Sequence, residues 1–420
     1  MRKLIAMSVA SLVCISLAVM SGLASEDTKN VFGNANMDEI IDEEDIEYVR
    51  GVIDGTNEVT ELADANYDGE IDEEDIAQIE LIIAGEETKL TLIDGAGRAV
   101  TVPKPIERVV LIGMLNEVKT LVQLGASDTI VATSTVVTGI YDEPGFSKYF
   151  DPLHKAAPEL GDLPRIDYSA PNLEQIIALK PDIILSYGTY SDPDEIQMKT
   201  DIPTICIGDS TGGDLSLLQH RLIGILMGKE KEVNELSTYL DEKFDELRDV
   251  TSEISDDEKP KVLVVHMGGP ESTKDIRTVM ARYDPVEIAG GINVAEGCFG
   301  NPSSVVVSKE QILAWNPDII LLGSYPSKEH PYSVEDVLSD PDLQTLSAVK
   351  NESIYYTRGC RIGWDPATVA VEAFYFAKLF HPDKFADLDV EEVGNEILHR
   401  FYGVDGLYTE MAEKIGFHTF

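Results

Sequence analysis

Two similar α/β lobes joined by one long backbone helix, behind a small acidic all-α module, are the fold this sequence predicts. The first observation is the stretch 229–254, where Val233, Leu236, Leu240, Phe244, Leu247 and Val250 recur with charged residues between them. That three-four spacing gives one apolar stripe on a helix free of internal Gly and Pro, with Gly228 before it and Pro260 beyond. The second is a repeated unit on either side of the helix. Asn172 to Leu185 reads NLEQIIALKPDIIL and Ser308 to Leu321 reads SKEQILAWNPDIIL. Each is a short helix, a Pro that stops it, and a buried strand. The third is a change of composition near Lys89, from an acidic tract to alternating strand and helix patterns.

The chain has 420 residues, enough for two or three cores. Its 33 basic and 76 acidic residues leave a net charge of −43. That balance excludes nucleic acid as a partner and electrostatic adhesion to anionic lipid, since neither phosphate surface would be neutralised. The expected divisions are 1–25, 26–88, 89–228, the linking helix 229–254, and 255–420.

Residues 1–25 have the parts of an export signal: Arg2 and Lys3, an apolar run from Leu4 to Met20, and small residues at Gly22 and Ala24. A single spanning anchor is the alternative, against which the run is short. The expectation is an exported, extracytoplasmic protein. Cys206 lies in an apolar run and reads as core. Cys298 and Cys360 lie in Gly-containing loops, where pairing, binding and free thiols all stay open.

Between Glu26 and Glu87 twenty-two acidic residues face two basic ones, Lys29 and Arg50. Asn34, Asn36, Asp38, Asp42 and Asp45 take positions 1, 3, 5, 9 and 12 of a loop, and Asp64, Asn66, Asp68, Asp72 and Asp75 repeat the pattern thirty residues on. Calcium takes six to eight oxygens, and alternate side chains of a turning loop aim at one centre. Position 7 adds the carbonyls of Ile40 and Glu70. Gly69 permits the sharp turn in the second loop, whereas Glu39 replaces it and Asn34 is neutral in the first, which is expected to bind more weakly. Each loop leads into a short helix, 46–53 and 76–84, and Ile41 and Ile71 pack the loops together. The module resembles a dockerin domain, with paired loop-helix repeats ending in Asp. The resemblance implies two calcium ions and a cohesin-bearing protein as partner, met by positions 10 and 11, here Glu43-Glu44 and Glu73-Glu74.

From Lys89 onward the chain reads as a hairpin, Leu90 to Val102 with its turn from Asp94 to Gly97. A strand Val109–Ile112 and a helix from about Asn116 to Leu124, closed by Gly125, come next. Strand-like runs recur at 129–132, 182–186, 204–207, 261–266, 318–323 and 353–356. The hairpin, Glu107 to Val110, both Glu-Gln-Ile helices, His381 to Phe385 and Phe401 to Gly403 together resemble a periplasmic-type solute-binding protein. The family serves ABC importers of iron-siderophore, haem and cobalamin, and the likeness covers nearly everything after the acidic module. It implies two lobes clamping a bulky metal chelate, an ABC permease as partner, and one surface glutamate per lobe to dock on it. By motif position these are Glu174 and Glu310.

Ligands of α/β proteins bind beyond the carboxyl ends of strands. The candidates there are Met114, Tyr187, Tyr190, Met267 and Tyr325, with Arg358, Arg361 and Trp364 in the last loop. Aromatic and Met side chains suit a large flat chelate, and arginines suit its carboxylates. No catalytic residues are expected: the seven histidines are dispersed, and no His-Glu-x-x-His, Gly-x-Ser-x-Gly or phosphate loop occurs. His220, His266 and His330 read as solvated or structural. The alternatives are an adhesion or scaffold-bound protein whose lobes hold another ligand, and a receptor for bare metal.

Overall fold

A computed structural model describes residues 30–38, 40–141, 152–188, 190–207, 215, 217–266, 275–298, 304–323, 332–359 and 365–420. The expected export signal lies outside them. Among the described residues no helix is long and apolar enough to cross a membrane. The chain separates into two compact units, 1–93 and 94–420. The division falls at the turn of the expected hairpin, so the second unit begins five residues beyond the expected start at Lys89.

In the first unit the acidic loops lead into helices Glu43–Ile53 and Glu73–Ala84. Each begins three residues earlier than its apolar pattern suggests. The reason is a capping box: Asp42 and Asp72 accept the first free amides of their helices, while Asp45 and Asp75 reach back to the cap's own N–H. Ala35, Ile46, Val49, Ala63, Ala65 and Ile79 make the core, and Ile41 and Ile71 pack against it. Strand β1 (Lys89–Ile93) closes the unit: Thr91 O accepts from Phe32 N at 3.0 Å, and Lys89 O accepts from Gln78 Nε2 at 3.0 Å.

The second unit opens on an Asp94 turn that is pinned in place. Asp94 Oδ1 accepts from Ala96 N and Arg98 N, and its Oδ2 accepts from Cys206 N at 3.0 Å. Next come β2 (Ala99–Pro103), β3 (Val109–Leu111), β4 (Ile130–Ser134), β5 (Arg165–Ile166), β6 (Ile183–Ser186) and β7 (Thr204–Cys206). Five of them form a parallel sheet in the order β5-β4-β3-β6-β7. Its core is aliphatic: Val110, Ile112, Ala132, Ile166, Ile176, Ile184 and Ile196. Cys206 is buried in β7, as its apolar setting suggests.

The second lobe holds β8 (Lys261–Val265), β9 (Thr278–Met280), β10 (Ile292–Asn293), β11 (Ser304–Val306), β12 (Ile319–Leu322) and β13 (Ile354–Tyr356). The main path is β11-β9-β8-β12-β13, with β10 parallel to β8 and β9 antiparallel to both of its neighbours. The strands missing from the sequence reading, β5 and β9 to β11, have two or three residues each, too few for a period of two to declare itself.

The linking helix runs Glu230–Thr251, about 33 Å at 1.5 Å per residue. It buries Val233, Leu236, Leu240, Phe244 and Leu247, and then Thr251 in place of the expected Val250. A fourth-residue step from Leu247 follows the helical face more closely than a third. The preceding helix, Leu218–Met227, ends on Gly228 in the left-handed region at φ 64°. The two helices touch at Gly224, where an added Cβ would come within 2.6 Å of Val233. Only glycine allows that approach.

Candidate functional site

The repeated unit of the sequence is repeated in space. Helices Leu173–Leu179 and Lys309–Trp315 start on Asn172 and Ser308, whose side chains accept from Gln175 N at 3.1 Å and Gln311 N at 3.2 Å. Both end on a left-handed residue, Lys180 and Asn316, ahead of Pro181 and Pro317. The aspartates that follow do one job twice. Asp182 Oδ2 accepts from Glu107 N and Arg108 N at 2.8 Å, and Asp318 Oδ2 accepts from Lys261 N at 3.0 Å. Each ties its strand to the start of the neighbouring one. Glu174 and Glu310 therefore occupy the same exposed second helical position, one in each lobe. The free amides at its own helix start and Ser308 hold the Glu310 carboxyl below its usual range.

At the carboxyl end of the first sheet, Met114 caps helix Leu115–Gln123 and is half-buried. Tyr187 and Tyr190 stack with their ring centroids 5.9 Å apart. Tyr168, which the sequence reading did not single out, meets Tyr190 edge-on at 5.2 Å. It follows the two-residue strand β5, and recognising that strand would have flagged it. Met267, Tyr325, Arg361 and Trp364 lie outside the described residues, as do Cys360 and His330. Cys298 is a free thiol.

Arg358 is in the second lobe and 4 % exposed. It belongs to a buried polar cluster that the sequence reading missed. Gln123 Nε2 donates to Asp365 Oδ1 at 3.1 Å, Tyr402 OH donates to Asp365 Oδ2 at 2.8 Å, and His220 Nε2 lies 2.6 Å from Gln123 Oε1. Burial alone would raise the Asp365 carboxyl. The Lys119 and Arg358 charges, with the bonds from Tyr402 and Gln123, outweigh it and hold the group below its usual range. Burial pushes His220 down to about 4, so its ring is neutral and donates to Gln123. Glu372 accepts from Tyr283 OH, Thr357 Oγ1 and the Arg358 amide, and burial still raises it to about 7.

Glu117 is the outlier. It is fully buried, neither carboxyl oxygen has a well-formed hydrogen bond among the described residues, and burial pushes it up to about 8 against the weaker pull of the Glu117 and Met114 amides. The carboxyl lies directly against Gly113, where an added Cβ would come within 2.3 Å of it. Charged residues inside apolar stretches, such as Glu117 and Lys119 or Glu372, were the signal that could have revealed this cluster.

In the acidic unit the proposed donors Asn34, Asn36, Asp38, Asp42, Asp45, Asp64, Asn66, Asp68, Asp72 and Asp75 line the two loops, with the Ile40 and Glu70 carbonyls. Asp45 Oδ1 accepts from Asn36 N at 3.1 Å, and Asp75 Oδ1 accepts from Asn66 N at 3.0 Å. Desolvation raises both carboxyls, and nearby Asp38, or Asp64 and Asp68, adds to it. With oxygens turned onto amides, the described His, Cys, Asp and Glu side chains form no closed group of three around a metal position. Asn34 Oδ1, however, is a buried acceptor without a hydrogen-bond partner.

Two α/β lobes with a long helix between them define a two-lobed binding-protein fold. The chain belongs to the periplasmic binding protein family, which it matches over residues 114–359. It is 26 % identical to the molybdate-binding protein MolA of Haemophilus influenzae, covering 74 % of this chain and 90 % of that one. It is 26 % identical to the ferric-anguibactin-binding protein FatB of Vibrio anguillarum, covering 64 % and 80 %. A periplasmic solute-binding protein from Veillonella parvula shares the fold, with a TM-score of 0.58 at 21 % identity, covering 78 % of this chain and 97 % of that one.

Proposed function

We propose that this chain is the extracytoplasmic binding component of an ABC importer for a bulky metal chelate, with an acidic module organised by calcium. The observation that carries the first part is the doubled helix-Pro-strand unit, which presents Glu174 and Glu310 at matching exposed positions. Two carboxylates at a set separation form a two-point plug for paired arginines on a permease. The tyrosines at the carboxyl end of the first sheet suit a large ligand, and the FatB relative is named for a ferric chelate. MolA is named for molybdate, which supports a second reading, a compact oxyanion. The purified protein is to be titrated with ferric chelates, haem, cobalamin and molybdate while following fluorescence of Trp315 and Trp364. Saturation by a chelate supports the reading; saturation by molybdate alone overturns it.

For the module, the donor set is all oxygen, as a hard cation requires. Calcium would supply the positive charge that lets these acids converge. Asn34 Oδ1, an acceptor lacking a donor, is the observation in favour. The carboxylates of Asp45 and Asp75 would keep capping their helices and present their second lone pairs to the ion. A cohesin-bearing protein is the partner this reading implies.

A further inference from the structure

The first lobe's sheet reverses its order at its middle strand. From β3 the chain goes to β4 on one side and later to β6 on the other, in the order β5-β4-β3-β6-β7. Beyond the carboxyl ends of strands at such a switch point ligands settle in α/β sheets. A helix that starts there binds anions through its free amides and the positive end of its dipole. Here that helix is Leu115–Gln123, nine residues long, which follows β3 after Ile112, Gly113 and Met114. Met114 stands at its cap and gives it no side-chain hydrogen bond. By its backbone alone this start is an anion seat.

The seat is taken. Glu117, in the first turn of the helix, folds its carboxyl back onto the backbone ahead of it. A Cβ added at Gly113 would come within 2.3 Å of its Oε1 and 3.0 Å of its Oε2. The amides that act on the carboxyl are those of Met114 and of Glu117 itself. Only a residue without a side chain lets the group lie there, and position 113 is glycine. The carboxyl is fully buried, and neither oxygen has a well-formed hydrogen bond among the described residues. A carboxyl kept for stability would be paired or hydrogen-bonded, and this one is neither. Burial raises it to about 8, so at neutral pH it is uncharged and excludes an anion by filling the place, not by repulsion. The amides beyond the flanking strands are taken as well. After β4, Ser134 Oγ accepts from Val136 N at 3.1 Å, and after β6, Asp192 Oδ1 accepts from Asp194 N at 3.0 Å and Glu195 N at 3.3 Å.

We infer that Glu117, admitted by Gly113, plugs the helix start at the switch point and is a specificity-determining residue that makes the lobe refuse oxyanions there. This rests on the binding-protein reading above and decides against its compact-oxyanion form. A tetrahedral oxyanion needs several donors converging on it, and at the centre of this rim the amides that would converge are covered by a side chain of the chain itself.

The test is calorimetric titration of three proteins, wild type, Glu117→Gln and Glu117→Ala, with molybdate, formate and ferrioxamine B. Wild type and Glu117→Gln, which keeps the shape of the plug, are expected to show no saturation by molybdate or formate at millimolar concentration. Glu117→Ala vacates the place, and formate, the size of the group removed, is expected to bind it about tenfold more tightly than it binds the other two. Where Glu117→Ala does not fold, Glu117→Val, equally too short to reach the helix start, takes its place, and the wild-type arm with molybdate needs no variant. Saturation of the wild type by molybdate overturns the plug, and so does equal formate binding by all three proteins. Ferrioxamine B bound by the wild type alongside either of those results leaves the chelate reading standing. No ferrioxamine B bound by the wild type, with formate gained by the shortened variant, counts against the chelate reading and upholds the plug.

Discussion

Gln123 Nε2 donates to Asp365 Oδ1 at 3.1 Å, and through that bond a helix of the first lobe holds the start of a helix in the second. The Gln123 amide is used at both ends, because its oxygen faces His220 Nε2 at 2.6 Å. Replacing it with Leu would leave a buried imidazole N–H unmatched and take one of two donors from Asp365 Oδ1, which would keep only the Ala367 amide at 3.2 Å. Gln123→Leu is expected to cost about 1–3 kcal/mol, the penalty of orphaned buried polar groups. Urea titration would register it as a lower midpoint at unchanged slope; an unchanged midpoint would mean that the joint does not hold the lobes.

Glu117 makes the two-lobed unit sensitive to alkali. Its pKa is raised in the folded state, to about 8. A raised carboxyl favours folding while it is protonated in both states, and that contribution is lost as pH rises through the folded value. Tm should therefore fall from roughly pH 5, just above the ordinary carboxyl range, to roughly pH 8 and level off above it, and Glu117→Gln should flatten most of that fall. Glu372, raised to about 7, acts in the same direction and leaves a residual slope in the variant. A Tm profile identical in wild type and variant would remove Glu117 from this role.

Calcium should act on the acidic unit alone. A ligand that binds only the folded state stabilises it by about 2.7 kcal/mol at a hundredfold excess over its Kd. Differential scanning calorimetry should show one transition rising with calcium and falling with a chelator, while the larger transition stays put. Asp75→Asn is expected to lower the calcium-dependent transition and to weaken the helix start together, because one side chain serves the loop and the capping box. A single transition for the whole chain would count against independent units.

Charge reversal at the matched helix positions separates transport from binding. Glu174→Arg with Glu310→Arg should abolish uptake in cells carrying the permease, while leaving ligand affinity within about twofold, since both side chains are exposed. A parallel loss of affinity would move these residues out of partner docking.

The repeat was legible because its parts are local. Asn172 or Ser308 starts a helix, Pro181 or Pro317 forbids its continuation, and Ile183 to Leu185 or Ile319 to Leu321 has nowhere to go but a buried sheet. The apolar stripe of Glu230–Thr251 was readable for the same reason: a helical period lies within a few consecutive residues. Loop spacing in the acidic unit singled out Asp42 and Asp45 as candidate calcium ligands, whereas their task in capping the helix emerged only from hydrogen bonds. What the tertiary structure decided was everything that joins distant segments. Gln123 and Asp365 are 242 residues apart, and no pattern in either neighbourhood points to the other. The Tyr168 and Tyr190 rings meet although strand order sets β5 and β6 apart, with β4 and β3 between them. Local preferences act along the chain and can be read there, whereas burial assigns partners by space and leaves little trace in sequence.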